Sequence, residues 1–177
     1  MRRLFAVLAF GWLGLSASAA LAQSIQVTPL TRDDHVLVSF KFTDAFTEDV
    51  RTAVHSGVTI TFSYDVQLRR GATLWFDRMI DSSRVTATVK YDPVTRKYLV
   101  TRYAPGRMAD NQNVDSEEVV RQWLTDFDKL PLFRSTALEP NAEYYVRVRA
   151  HTSPRNAAFV WPWGSDIAGL AKFTFLK

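Results

Sequence analysis

Three histidines, His35, His55 and His151, are the imidazole ligands this sequence could offer a metal, and long stretches separate them. A zinc site built on local spacing wants ligands a few residues apart, as in H-x-x-x-H, and often cysteines to complete the set. The sequence has no cysteine. A metal site would have to be assembled by folding from distant segments, so three unrelated surface or capping histidines are the expectation. Nucleophile motifs are also missing: there is no G-x-S-x-G elbow and no S-x-x-K. Ser82-Ser83 and Ser116 stand at element ends, where hydroxyls cap backbone groups. The carboxylate pairs Asp33-Asp34 and Glu117-Glu118 are adjacent, and Asp126 and Asp128 read as two apart on a helix, pointing to different faces. Hydrolysis by paired carboxylates needs both groups facing one cleft, an arrangement that sequence alone does not display. The expectation is a protein that is not an enzyme, with no catalytic residue, cofactor or metal ligand.

What stands out instead is aromatic. Phe159-Val160-Trp161-Pro162-Trp163-Gly164 cannot continue a regular strand through its proline and glycine. In an extended segment Trp161 and Trp163 project to the same side, and tryptophan is enriched at binding hot spots. Phe159, Trp161 and Trp163 are therefore a candidate interaction patch. The competing expectation is a loop that folds its rings over the end of the core. Trp75-Phe76, beside Arg69-Arg70-Gly71, reads as packing.

The elements that must position these residues are mostly strands. From 58 to 69, Val58, Ile60, Phe62, Tyr64, Val66 and Leu68 alternate with Thr59, Thr61, Ser63, Asp65, Gln67 and Arg69. Such unbroken alternation predicts one long half-buried strand, of a length that tends to bend or serve two sheets. The same period marks 36–42, 85–91, 144–151 and 171–175, with weaker patterns at 74–80 and 98–103. One apolar and one polar face imply antiparallel sheets with a wetted side. Asp92-Pro93-Val94-Thr95 predicts a hairpin turn, with Pro93 presetting φ and two registers open. Two helices interrupt the strands. One is capped by Asp44, carries the stripe Phe46, Val50, Ala53 and Val54, and ends at Gly57 with His55 in its last turn. The other is capped by Asp115 with Glu118 at capping-box spacing, carries Val119, Val120, Trp123, Leu124 and Phe127, and is stopped by Pro131. Residues 104–114 and 138–141 read as loops. The expected fold is mainly antiparallel β, sandwich-like or a partly open barrel, with two short helices.

The N-terminus has the order of a secretory signal: Arg2 and Arg3, an apolar run from 4 to 15, then small residues up to Ala20-Leu21-Ala22. The run is short of the roughly 20 apolar residues that a spanning helix needs. The expectation is cleavage near Ala22, leaving residues 23–177 as a single β-rich domain in the periplasm or outside the cell, with no transmembrane segment. The formal charge is +4, of which Arg2 and Arg3 in the leader supply two. The other arginines are scattered among acids along the sequence, which together with export argues against nucleic acid as a partner.

The run Val38-Ser39-Phe40-Lys41-Phe42, the short helix after Asp44, Gly57 and the long strand 58–69 resemble an exported bacterial family, as do Trp75-Phe76-Asp77, the hairpin around Asp92 and the strand 142–150. The family is domain of unknown function 4390. The resemblance covers nearly all of the chain after the leader, on motifs of a structural kind. It implies a signal peptide and no established activity, catalytic residues or cofactor. In some genomes members are encoded beside a membrane sensor kinase and its response regulator, which suits an envelope accessory protein. The Trp161-Pro162-Trp163 segment is not among the matching motifs.

Two functional expectations follow. One is a non-enzymatic envelope protein that binds another protein, such as the extracytoplasmic part of a sensor. The other is a periplasmic carrier of an apolar ligand, or a membrane-surface binder, that uses the Trp161 and Trp163 segment. A large enclosed cavity under the even-numbered face of 58–68 would favour the carrier, and a filled core with an exposed aromatic patch would favour the protein binder.

Overall fold

The computed structural model describes residues 24–71, 77–105, 110–153 and 167–176. The leader expected at 1–22, Trp75-Phe76 and the patch of Phe159, Trp161 and Trp163 lie outside the described residues. In chain order the elements are β1 (Ser24–Arg32), β2 (His35–Thr43), α1 (Glu48–His55), β3 (Ile60–Arg70), β4 (Arg78–Asp92), β5 (Lys97–Tyr103), β6 (Asp110–Val114), α2 (Glu117–Thr125), β7 (Asp126–Arg134), a single 3-10 turn Ser135–Ala137, β8 (Glu143–Ser153) and β9 (Ile167–Thr174).

The strand that alternates most cleanly in the sequence holds the fold together. The even-numbered residues of β3, from Ile60 to Leu68, are at most 1% exposed, while the odd-numbered ones are half-buried. Such a strand forms because each apolar residue faces a covered layer and each polar one faces water. β3 pairs with β4 on one side and β8 on the other, inside a six-stranded antiparallel sheet of order β6-β5-β4-β3-β8-β9. It serves this one sheet, and its irregularity is a register shift between Leu68 and Arg69.

A three-stranded antiparallel sheet, β1-β2-β7, lies across the inner face of the larger one. Between the layers the Tyr64 ring sits 4.9 Å from Phe40, 5.2 Å from Phe127 and 6.5 Å from Phe42. The architecture is a β-sandwich with two short helices and no closed barrel. α1 packs on β3 and β4, and α2 touches β4, β5, β2 and β7. At one side β1 runs against β9. A Cβ on Gly169 would stand 2.3 Å from the Ile25 carbonyl oxygen, so this approach requires glycine.

The turns resolve what alternation leaves open. Asp33 and Asp34 both have positive φ, at 49° and 58°, and form the two-residue turn between β1 and β2 that matches strand twist. The β4–β5 hairpin takes the register Asp92↔Lys97 and Tyr91↔Tyr98. Asp92 accepts from the Val94 N–H and the Thr95 hydroxyl, both at 2.9 Å, and these bonds hold its carboxyl below the usual range.

Several boundaries differ from expectation. Thr47, not Asp44, caps α1, its hydroxyl accepting from Val50 N–H, while Asp44 takes a left-handed φ of 57°. Ser116, not Asp115, is the N-cap of α2 and its side chain makes no capping bond; Glu118 turns to Arg121 and Gln122 instead. α2 ends at Thr125, so Phe127, Asp126 and Asp128 belong to β7, and Pro131 lies in that edge strand rather than stopping a helix. The reason is packing. In the helical stripe Phe127 would only cover a sheet, whereas in β7 it stacks on Phe40 with centroids 4.6 Å apart. Part of the loop expected at 104–114 is strand β6, paired to β5 from Arg102↔Asp110 to Tyr98↔Val114. β1, whose alternation Pro29 interrupts, carried too weak a pattern to stand out in the sequence.

Candidate functional site

The outer face of the six-stranded sheet gathers charge that looks scattered in the sequence. Period-2 alternation puts Arg147, Arg149 and His151 of β8 on that face, beside Gln67, Asp65 and Ser63 of β3 in register. On the other side of β3, Arg84 of β4 is the register partner of Asp65. β9 adds Leu170 opposite Arg147 and Lys172 opposite Tyr145. Strand register thus brings arginines of three strands to one face, with acids still among them.

The acids of this face are already engaged. Asp65 is bound by Arg84 at 2.7 Å and lies 3.2 Å from His151 Nε2. Asp77 is bound by Arg69 at 2.9 Å and accepts from the Tyr145 hydroxyl, whose pKa is raised by burial and by that bond. Arg147 and Arg149, two apart and half-buried, make no ion pair among the described residues. Arg149 Nε is buried and has no hydrogen-bond partner there either. A groove of about 420 Å³ runs alongside, lined by Asp65, Gln67, Ser82 and Arg84 among others.

A second polar group joins the two helices to the sheet. His55 Nε2 is 2.9 Å from Glu117 Oε1 and 3.2 Å from the Tyr98 hydroxyl, and Arg51 Nε is 2.9 Å from Glu117 Oε2. The bond from His55, and then the Arg51 charge, hold the Glu117 carboxyl below the usual range. Burial, and then the Glu117 charge, push the Tyr98 phenol up. His55 closes α1 and Glu117 opens α2, where the carboxylate charge suits the positive end of the helix dipole. The group reads as a joint.

A third group lies on the outer face of the small sheet. Because Asp126 and Asp128 are in a strand, they share one face, contrary to their expected divergence on a helix. Lys41 sits 3.4 Å from Asp126, and Ser39 donates to Asp128 at 2.9 Å, so each carboxylate has its own partner.

The chemistry these groups can perform is limited by their neighbours. His55 with Glu117 and His151 with Asp65 are base–orienter pairs of the kind used in general-base catalysis, which also needs a nucleophile in hydrogen-bond reach. Ser63 is in register with His151 but makes no hydrogen bond to it among the described residues. Its strand is flanked by β4 and β8, whose ladders occupy the backbone N–H groups that an oxyanion would require. His35 is placed apart, its Nδ1 2.8 Å from the Asp33 carbonyl oxygen. Among the described residues no group of three or more His, Asp or Glu is arranged to hold a metal ion.

A family model described as a domain of unknown function (DUF4390) matches residues 17–157. The chain belongs to this family. In this DUF4390 chain the matched stretch takes in β1 through β8, and with β8 the Arg147 and Arg149 pair. It stops short of Phe159, Trp161 and Trp163 and of β9. No curated protein and no solved structure matches the chain. No helix among the described residues is long and apolar enough to cross a membrane.

The aromatic patch singled out in the sequence thus lies outside the described residues, and the charged outer face was missed. Its signal was present in β8, where Arg147, Arg149 and His151 occupy one parity. Alternation was read there as a wetted side, and only register reveals which charges meet and which are left over.

Proposed function

We propose that this DUF4390 protein is an exported, non-enzymatic envelope module that binds another protein, the extracytoplasmic part of a membrane sensor being the partner that the family resemblance suggests. The observation that carries the reading is the filled layer under β3. The even-numbered residues from Ile60 to Leu68 are at most 1% exposed, the Tyr64 ring is packed against Phe40, Phe42 and Phe127, and its hydroxyl is spent on the Leu124 carbonyl at 2.7 Å. The hollows along β3 and β4 and along the small sheet are open grooves lined by polar residues instead. A filled interior and a structured polar exterior suit recognition at the surface better than carriage of an apolar molecule.

The test uses protein isolated from the envelope of cells that express the full chain. The expected N-terminus is Gln23, the expected organic extract holds no stoichiometric apolar compound, and crosslinking in intact cells yields a discrete protein adduct. A stoichiometric lipid in the extract with no protein adduct would overturn the reading in favour of a carrier.

A further inference from the structure

The protein-binding reading leaves open what chemistry the surface recognises, and the arginines of β8, which have no ion pair among the described residues, bear on that. Guanidinium groups are planar forks that bind carboxylates by two parallel hydrogen bonds, and a half-buried fork without a partner is an unmet demand for an anion. Asp65, the register partner of Arg149, pairs with Arg84 and lies 3.2 Å from His151 instead. β9 offers Ala168, Leu170 and Lys172 on the neighbouring positions, none of them an acid. Among the described residues the result is a local excess of positive charge centred on Arg147 and Arg149, with the buried Arg149 Nε unbonded.

We propose that the outer face of β8 is a docking surface for an extended acidic segment of a partner protein, its alternate carboxylates seated on Arg147 and Arg149. Spacing points to an extended partner. Residues two apart on a strand lie about 7 Å apart on one face, so the two guanidiniums repeat at the same interval as the i and i+2 carboxylates of an extended chain. Leu170, opposite Arg147 and 55% exposed, gives an apolar contact beside the charges. The arginines are half-buried rather than fully exposed, which suits carboxylates delivered to them singly by an extended chain better than a flat layer of lipid headgroups. This proposal rests on the protein-binding reading.

The probe is a fluorescent oligoglutamate peptide, titrated by anisotropy against the full mature protein isolated from the envelope. Binding should saturate, weaken with added salt and fall about tenfold in Arg147→Gln/Arg149→Gln, the loss expected for charge-assisted bonds to one fork or more. Arg147→Lys/Arg149→Lys should restore it only in part, because a lysine cannot bind bidentately. Lys90→Gln, an exposed position of β4, should leave it unchanged, and unaltered melting temperatures should show that all variants fold. Equal affinities in the wild type and the double Gln variant overturn the proposal. So does tighter, Arg147- and Arg149-dependent binding to phosphatidylglycerol vesicles than to the peptide, which would assign the face to a membrane. Either failure is separate from the cellular crosslink to a partner, which stands or falls on the wild-type protein alone.

Discussion

The Tyr64 hydroxyl donates to the Leu124 carbonyl at 2.7 Å, tying the buried centre of β3 to the last turn of α2. Arg102 completes the arrangement by donating to the carbonyls of Gln122, Trp123 and Asp126, its guanidinium 4.7 Å from the Trp123 ring and 4.4 Å from the Phe127 ring. Carbonyls at a helix C-terminus have no partners within the helix, and here two side chains from the sheet supply them. Burial pushes the Tyr64 phenol well above its ordinary value, so it stays a donor at every physiological pH. Tyr64→Phe keeps the ring contacts but strands a buried carbonyl. It should cost about 1–3 kcal/mol, read as a lower midpoint in urea. An unchanged midpoint would mean that water takes over the bond.

The two faces of β3 should respond in opposite ways to the same charge. Phe62 is fully buried and Thr61 faces outward. Phe62→Asp should prevent folding or cost about 3 kcal/mol or more, whereas Thr61→Asp should be tolerated. Comparable soluble yields and melting temperatures for the two variants would contradict the facing of the strand.

Gly169 should accept no side chain. A Cβ there meets the Ile25 carbonyl oxygen at 2.3 Å and the Val27 Cγ2 at 2.8 Å, so β1 would have to leave β9. Gly169→Val should cost about 1–3 kcal/mol or more as overpacking. Amide exchange in β1 should accelerate ahead of that in β3. Unaltered protection in β1 would rule out close packing at this side of the sandwich.

Glu117 should give the joint between the helices a pH dependence of one sign. Its folded pKa is held below the ordinary carboxylate value, so the stability it adds is present above that value and is lost as pH falls through the lowered one. Glu117→Gln should therefore lower the melting temperature at neutral pH, with the gap to wild type closing on acidification below the usual carboxylate range. A gap that stays constant down to acid would show that the carboxylate charge contributes nothing. The side chain is 35% exposed, so the effect should be modest.

The fold was legible wherever one residue type filled one parity. Residues 60–68 give β3, and 144–150 give β8, because a half-buried strand writes its two environments into alternate positions. The pattern failed where long-range packing chose between two local options. Phe127 fits the apolar stripe of α2 as well as it fits β7, and nothing near it in sequence discloses that Phe40 of β2 waits beside it as its register partner. Residues 110–114, Asp-Asn-Gln-Asn-Val, have loop composition and become strand because β5 offers an open edge. The charged face was legible only in half. Alternation places Arg147 and Arg149 together, but that Asp65 turns to Arg84 and His151, leaving the pair without an acid among the described residues, depends on register among three strands.

The most direct measurement of a protein-binding function is site-specific photocrosslinking in intact cells, from two positions on opposite surfaces. Gln67 lies on the outer face of the large sheet beside Arg147, and Thr28 lies on the outer face of the small sheet opposite Ser39. With a photoreactive residue at Gln67, a single discrete adduct to an envelope protein should form, and the same residue at Thr28 should give none. Exported, folded protein that yields no adduct from either position would contradict recognition of a protein partner at this surface.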